Sequence, residues 1–327
     1  MRYSRREVGK LALAGLVLPR LAGAALFQGA APRGPVPGVR VGAVTYSFRS
    51  MTDARDIVAG MRKLGFTEAE LMNNHAEALA GAPAPPPLGG GRGRGRGSLT
   101  PEQIAEFQAA QRAAQEAATA WRKTAMAAVA STFAPVRQAF ADAGIGITYL
   151  VYNFNVKTTS DEELEYAFQM AKALGAVGIT TSTTVAMANR LAPFADRHEL
   201  MVGFHGHSNL TDPEQIATPA SFAACIAPSK FHMINLDIGH FAAANFDPVA
   251  FLKEQRPRVM SLHIKDRRRD NGANTPFGEG DTPVREVLQL LKQNPSWNIP
   301  GNIEFEYPGD PMVEIPKCLD YCRAAVA

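Results

Sequence analysis

Cysteine is scarce in this 327-residue chain. Cys225, Cys318 and Cys322 form no CxxC pair, so the chain has neither a cysteine-rich zinc site nor an evident disulfide framework. Cys318 and Cys322 stand four apart on an expected terminal helix and read as buried thiols on one face. An HExxH element is missing, which excludes the zincin type of metal site. The glycine fingerprint that binds phosphate in doubly wound sheets is missing too, which weighs against that architecture. Beyond the first 30 residues no apolar run is long enough to span a bilayer. The net charge of +3 comes from a basic N-terminus and a Gly-Arg tract, so it points to no nucleic-acid partner of the folded body.

With 46% hydrophobic residues, the remainder can build one large domain of about 250–300 residues. The segment SRREVGKLALAGLVLPRLAGAA carries Arg5 and Arg6, then Lys10, a modestly apolar stretch and small residues at Ala22 to Ala25. It resembles a twin-arginine export signal, although Val8-Gly9 replaces the usual Phe-Leu. Residues 1–30 are therefore set apart from the fold, and the mature protein is expected in the periplasm with no membrane attachment. That route carries folded proteins, which suits one that acquires a metal in the cytoplasm.

Eight segments read as strands: 39–48, 68–73, 145–154, 176–183, 200–208, 232–240, 258–266 and 301–307. Most are separated by stretches of helical periodicity. Ala54 to Leu64 is one, Asp161 to Leu174 follows a Ser160 cap, and Asp247-Pro248 opens a third. Alternation of this kind gives a parallel sheet with helical crossovers, and eight units make a (β/α)8 TIM barrel over residues 38–327. The gap between the second and third strands holds an insertion, residues 82–125. Its low-complexity APAPPPLGGGRGRGRG precedes a helix from Thr100-Pro101 through Trp121, and a second helix runs from about Met126 to Ala143. One of the two is the barrel's own crossover. The other is a lid or a surface elaboration.

Strand parity gathers the polar residues. In SLHIKDRR, Ser261, His263 and Lys265 share one face while Met260, Leu262 and Ile264 take the other. His205 and His207 share parity in the fifth strand, Asn235 and Asp237 in the sixth, Glu304 and Glu306 in the eighth, and Glu68 and Glu70 in the second. His75 lies just past the second. Buried charges are costly unless paired or bound to a cation, and a divalent ion suits converging carboxylates and imidazoles. Mixed nitrogen and oxygen ligands suit Mn, Co, Zn or Fe better than Ca.

The ordered elements LDIGHF, RVMSLHIKDR, PFGEGDTP and GNIEFEY resemble the sugar phosphate isomerase/epimerase superfamily, the xylose-isomerase-like TIM barrels. The similarity runs from Val39 to the C-terminus apart from the insertion. It implies one divalent metal held at the ends of the fifth to eighth strands. Asp237 matches the aspartate of the LD element, His263 the histidine of the HxKD element and Glu306 the terminal glutamate, with Glu304 its rival. His205 stands where many relatives have a glutamate, so Zn, Co or Mn is expected ahead of Mg. The resemblance also implies a sugar substrate and proton transfer through an enediolate. Glu306, Lys265 and His207 are the candidate catalytic residues. Glu70, His75, His240, Glu304 and Glu279, the last on a loop read as flexible, are candidates for substrate contact. Lys265 has a second reading, as a buried pair with Asp266 or a glutamate. With one glutamate replaced, a two-glutamate epimerisation is in doubt, and a lyase or hydrolase of 3-keto-glycosides needs only one base. A non-catalytic sugar-binding barrel stands as a different class, and a multi-zinc endonuclease as a distant third. The oligomeric state is left open.

Overall fold

The computed structural model describes residues 34–83 and 100–327; the expected export signal and most of the Gly-Arg tract lie outside them. The strands are β1 (Val41–Val44), β2 (Glu68–Met72), β3 (Gly146–Val151), β4 (Gly178–Thr181), β5 (Met201–His205), β6 (His232–Asp237) and β7 (Val259–Ile264). A small antiparallel ribbon of β8 (Asp266–Arg267) and β9 (Asn274–Thr275) follows, then β10 (Gly301–Ile303). Strands β1 to β7 and β10 close into a parallel barrel, each paired with its sequence neighbour and β10 with β1.

All eight expected strands are present, and each ends earlier than its apolar pattern suggested. The polar residues at those ends leave the ladder for turns. Thr45–Phe48 coils into a 3-10 turn, and α8 (Ile238–Ala243) starts directly after Asp237. Active-site side chains of such barrels belong to these C-terminal ends.

The other helices are α1 (Ala54–Lys63), α2 (Asn73–Leu79), α3 (Pro101–Ala127), α4 (Val129–Asp142), α5 (Asp161–Leu174), α6 (Val185–His198), α7 (Pro219–Ile226), α9 (Pro248–Gln255), α10 (Val284–Gln293) and α11 (Pro311–Ala325). Their starts follow capping chemistry. Ser160 accepts from Glu163 N, Asp247 accepts from Val249 N and Ala250 N, and Thr100 and Gln103 cap each other. Helix α4 buries Val129, Phe133, Val136 and Phe140 and is the crossover to β3. The longer α3 is the insertion. It runs on to Ala127 rather than stopping at Trp121, and Arg122 ties it to Glu77 of α2 at 2.8 Å and Glu163 of α5 at 3.6 Å. No helix among the described residues is long and apolar enough to cross a membrane.

Inside the N-terminal end of the barrel, Tyr149, Met233 and Met260 pack together. Strict alternation sends Met260 to the helix side, but the β6–β7 register jumps from Ile234–Val259 to Asn235–Ser261 and skips it. That bulge turns Met260 inward. Gly203 makes room, because a Cβ there would lie 2.5 Å from Met260 Sδ. Burying such a side chain contributes about 1.5–3 kcal/mol. Glu68, paired with Arg40 at 2.9 Å, is buried at this end too, while the histidines and the other inward carboxylates gather at the opposite end.

Candidate metal centre at the barrel mouth

Parallel pairing sets the levels of the site. His205 is in register with Asn235, Asp237 with His263, and His263 with Asn302. Glu304 follows β10 directly and is anchored by its own N–H to Ile264 O at 3.0 Å. One donor atom from each of His205, Asp237, His263 and Glu304 lies within 4.8 Å of the others, and all four residues are buried.

The hydrogen bonds show which atoms are free. His205 Nδ1 faces Asn235 Oδ1 at 2.8 Å, and Asn235 Nδ2 is 2.6 Å from Ser261 Oγ. The ring's lone pair is thereby left on Nε2, 4.0 Å from Asp237 Oδ2. Asp237 Oδ1 accepts from His240 N at 2.7 Å. Its Oδ2 is buried without a hydrogen bond, although Lys265 Nζ is 3.1 Å away. That oxygen has the Lys265 ion pair and no hydrogen bond, which leaves it room for a further cationic partner. Two imidazoles and two carboxylates arranged in this way fit a divalent ion.

The electrostatics agree. Burial raises the Asp237 carboxyl despite the nearby ammonium, with Glu304 adding to the rise. Burial opposes ionisation of Glu304 as well, but Lys265 and His263 overcome it and hold that carboxyl well below the usual range. Burial also opposes charge on His263, yet Glu70 and Glu304, one at each ring nitrogen, raise it well above the ordinary value. Lys265 contacts Glu304 Oε2 at 2.7 Å and Glu306 Oε2 at 2.6 Å as well as Asp237. Lys265 is thus paired with glutamates rather than with Asp266, whose carboxylate is engaged elsewhere.

Four positions differ from expectation. Glu304, read as a substrate contact, joins the donor group, whereas Glu306 does not: it is half-buried against Lys265 and Asn274 Nδ2. The register explains this. Asn302 is level with His263, so Glu304 is one inward step above the histidine and Glu306 two. Glu70, also expected at the substrate, is fully buried with both oxygens occupied by Thr180, His263 and Asn302. The loop carrying Glu279 is pinned rather than free, since Asp266 accepts from Gly278 N, Gly280 N and Thr282 N at 2.8, 3.0 and 3.2 Å. Gly280 is needed there, because a Cβ would fall 2.0 Å from Asp266 Oδ1. Glu279 itself is exposed.

The remaining histidines line the mouth. His207 Nε2 is 2.9 Å from Ser182 Oγ, and burial together with His205 lowers it to about 3. His75 Nδ1 is 2.9 Å from Thr45 Oγ1, and burial lowers it to about 4. His205, His207 and His240 also bring donor atoms within 4.8 Å of one another. That second group does not suit a metal as arranged. Arg267 Nη1 donates to His240 Nδ1, and a guanidinium can only donate, so the neutral ring has spent its lone pair and carries its proton on Nε2. His240 is thus a hydrogen-bond donor toward the mouth. The sequence reading missed Arg267, Asn235, Thr180 and Asn302 as site residues. Asn235 was visible through its parity with Asp237, and Arg267 through its place directly after the HxKD element.

No family model matches the chain. It is 31% identical over 93 residues to the L-ribulose-5-phosphate 3-epimerase UlaE of Escherichia coli, a stretch covering 28% of this chain and 32% of that protein. The chain thus aligns with about a third of the length of the curated relatives it matches. Solved structures are alike over nearly the whole chain. The probable 3-DHS dehydratase AsbF of Bacillus anthracis gives a TM-score of 0.58 at 15% identity, covering 86% of this chain and 99% of that one. A sugar phosphate isomerase/epimerase of Parabacteroides distasonis gives 0.56 at 16%, covering 90% and 98%. The IolI protein, solved with a bound zinc atom, gives 0.57 at 11%, covering 88% and 96%. At these identities the likeness is one of fold, and by fold the chain stands with the sugar phosphate isomerase/epimerase, xylose-isomerase-like TIM barrels.

Proposed function

We propose that this chain is an exported, divalent-metal-dependent enzyme acting on a keto sugar or sugar derivative, an isomerase or epimerase that works through an enediolate. The observation that carries the reading is the convergence of His205, Asp237, His263 and Glu304 at the C-terminal mouth of the barrel. The likeness to UlaE and to the zinc-bound IolI barrel supports it. Those four residues would hold the ion, and their mixed donors suit Zn, Co or Mn, with Mg less favoured. When bound, the ion supplies Lewis-acid polarisation of a substrate carbonyl.

The rest of the chemistry belongs to side chains. Glu306 is the base in this reading, because it is the glutamate at the mouth that the donor group leaves over. Lys265, 2.6 Å from it, neutralises charge that develops on a substrate oxygen. His240 offers Nε2–H to a substrate oxygen, and His207 and His75 complete a neutral polar wall. A second reading, elimination from 3-keto-glycosides, is favoured by one feature: a single glutamate remains for proton removal, and elimination beside a ketone needs one base.

The test uses the full chain with Zn, Co, Mn or Mg and a set of keto sugars and 3-keto-glycosides in D2O. Proton NMR would follow loss of signal at the carbon beside the carbonyl. Exchange with return of a sugar isomer supports isomerisation, and release of an aglycone supports elimination. A protein that binds ion and sugar without exchange would be a sugar-binding barrel instead.

A further inference from the structure

Beneath the donor group lies a carboxylate that the proposed chemistry does not use. Glu70 is fully buried at the barrel centre. The β2–β3 ladder slips by one residue directly before it, pairing Ala69 with Ile147 but Glu70 with Tyr149. Irregularities of this kind re-aim a side chain. Three groups then converge on Glu70: Thr180 Oγ1 donates to Oε1, Asn302 Nδ2 donates to Oε2 at 2.6 Å, and His263 Nε2 lies 2.9 Å from Oε1. Gly42 leaves the space for Asn302, since a Cβ there would come 2.4 Å from Asn302 Oδ1. A carboxylate held by two donors has only lone pairs to offer a third partner, so the ring nitrogen facing it must carry a proton.

We propose that Glu70 is a positioning residue: it fixes His263 with its proton on Nε2 and so presents the Nδ1 lone pair to the site shared with His205, Asp237 and Glu304. The inference rests on the metal-site reading above and says how that site gets its affinity. Without metal His263 Nδ1 also faces a carboxylate oxygen, Glu304 Oε2 at 3.0 Å, and carries a proton there; an ion shared with Glu304 would take the place of that proton, while Glu70 keeps the one on Nε2. A carboxylate behind a ligating histidine orients the ring and raises its basicity, and losing it typically costs 10- to 100-fold in affinity. Thr180 and Asn302 hold the carboxylate in turn, which spreads the metal site over β2, β4, β7 and β10.

The experiment compares the wild-type chain with Glu70→Gln, which keeps the volume but whose amide can turn its NH2 toward Nε2. Zinc affinity is measured by competition with a chelator, and long-range 1H–15N spectra of the zinc-loaded protein report the His263 tautomer. Thermal unfolding without metal checks that the variant is folded, and Thr180→Val is a milder probe of the same contact. The expected result is a His263 proton on Nε2 in the wild type and zinc affinity about 10- to 100-fold weaker in Glu70→Gln. Thr180→Val should fall between the two. A proton on Nδ1 with zinc on Nε2, or affinities equal within twofold in folded variants, would overturn the assignment while the metal site stands. A wild-type chain that takes up no zinc would remove the site reading and this inference with it.

Discussion

Lys265 Nζ lies 2.7 Å from Glu304 Oε2, the same oxygen that faces His263 Nδ1 at 3.0 Å. Glu304 is therefore shared between the chain's own ammonium and the group of donors suited to a divalent ion. The ammonium also reaches Asp237 and Glu306. Without metal, one cation and a charged histidine hold the carboxylates together. With metal, part of that task passes to the ion. Stability and metal binding are coupled through this one side chain.

Lys265→Met tests the coupling. Removing one partner from a buried ion network costs about 3–5 kcal/mol, because the remaining charges are left unpaired. The loss should be full in chelator-treated protein and much reduced once zinc or manganese is added. Urea unfolding with and without the ion measures both, and an equal loss in the two conditions would show that Lys265 and the metal do not share the carboxylates.

Asp266 makes a different prediction. Its carboxylate accepts three backbone N–H groups of the loop from Gly278 to Thr282, and each hydrogen bond to a charged group contributes about 1.5–3 kcal/mol. Asp266→Ala should free the loop, so that the amides of Gly278, Gly280 and Thr282 lose protection in hydrogen exchange while β7 keeps its own. Gly280→Ala should act similarly, since its new Cβ displaces the carboxylate. Unchanged protection in both variants would assign the loop's order to other contacts, such as Phe277 on Tyr321.

Much of this was legible in the chain. The eight apolar segments and their spacing gave the barrel, and the parity of His263 with Lys265 and of Asn235 with Asp237 gave the inward face. Parity is blind to height along the barrel axis, however. Glu304 and Glu306 share a face, and only the pairing of Asn302 with His263 shows which of them is the nearer to the donors. Parity also fails at bulges, where Met260 turns inward against its alternation. Tautomers were out of reach, since the state of His240 in α8 depends on Arg267, which arrives from β8.

The acid range offers a third check, through histidines away from the donor group. Burial lowers both His75 and His232 to about 4, whereas an unfolded histidine titrates near 6.5. Between those values the unfolded chain binds the proton and the folded one does not. Their contribution is therefore complete above about pH 6.5 and is lost as the pH falls toward about 4, by up to about 1.4 kcal/mol per pH unit for each group. Glu70 and Glu304, whose carboxyls are depressed, weaken the fold only below this window. Urea unfolding of chelated protein from pH 7 to 4.5 should show the decline, and His232→Gln should make it shallower by about one proton. An identical slope in the variant would place the titration elsewhere.

The two glutamates after β10 separate metal binding from proton transfer. Glu304 belongs to the donor group, while Glu306 is more open and bound to Lys265 and Asn274. Glu304→Gln takes a charged donor from the set and leaves Lys265 with one carboxylate fewer, so zinc affinity should fall about 100-fold or more and activity should disappear with it. Glu306→Gln should hold zinc within a few-fold of the wild type and still abolish proton exchange at the carbon beside the carbonyl, a loss of at least about 10²-fold for a positioned base. Metal content by elemental analysis and exchange in D2O read the two effects separately. If Glu306→Gln is the variant that loses its metal, the ligand lies one step higher in the mouth, and Glu304 becomes the group left to move the proton.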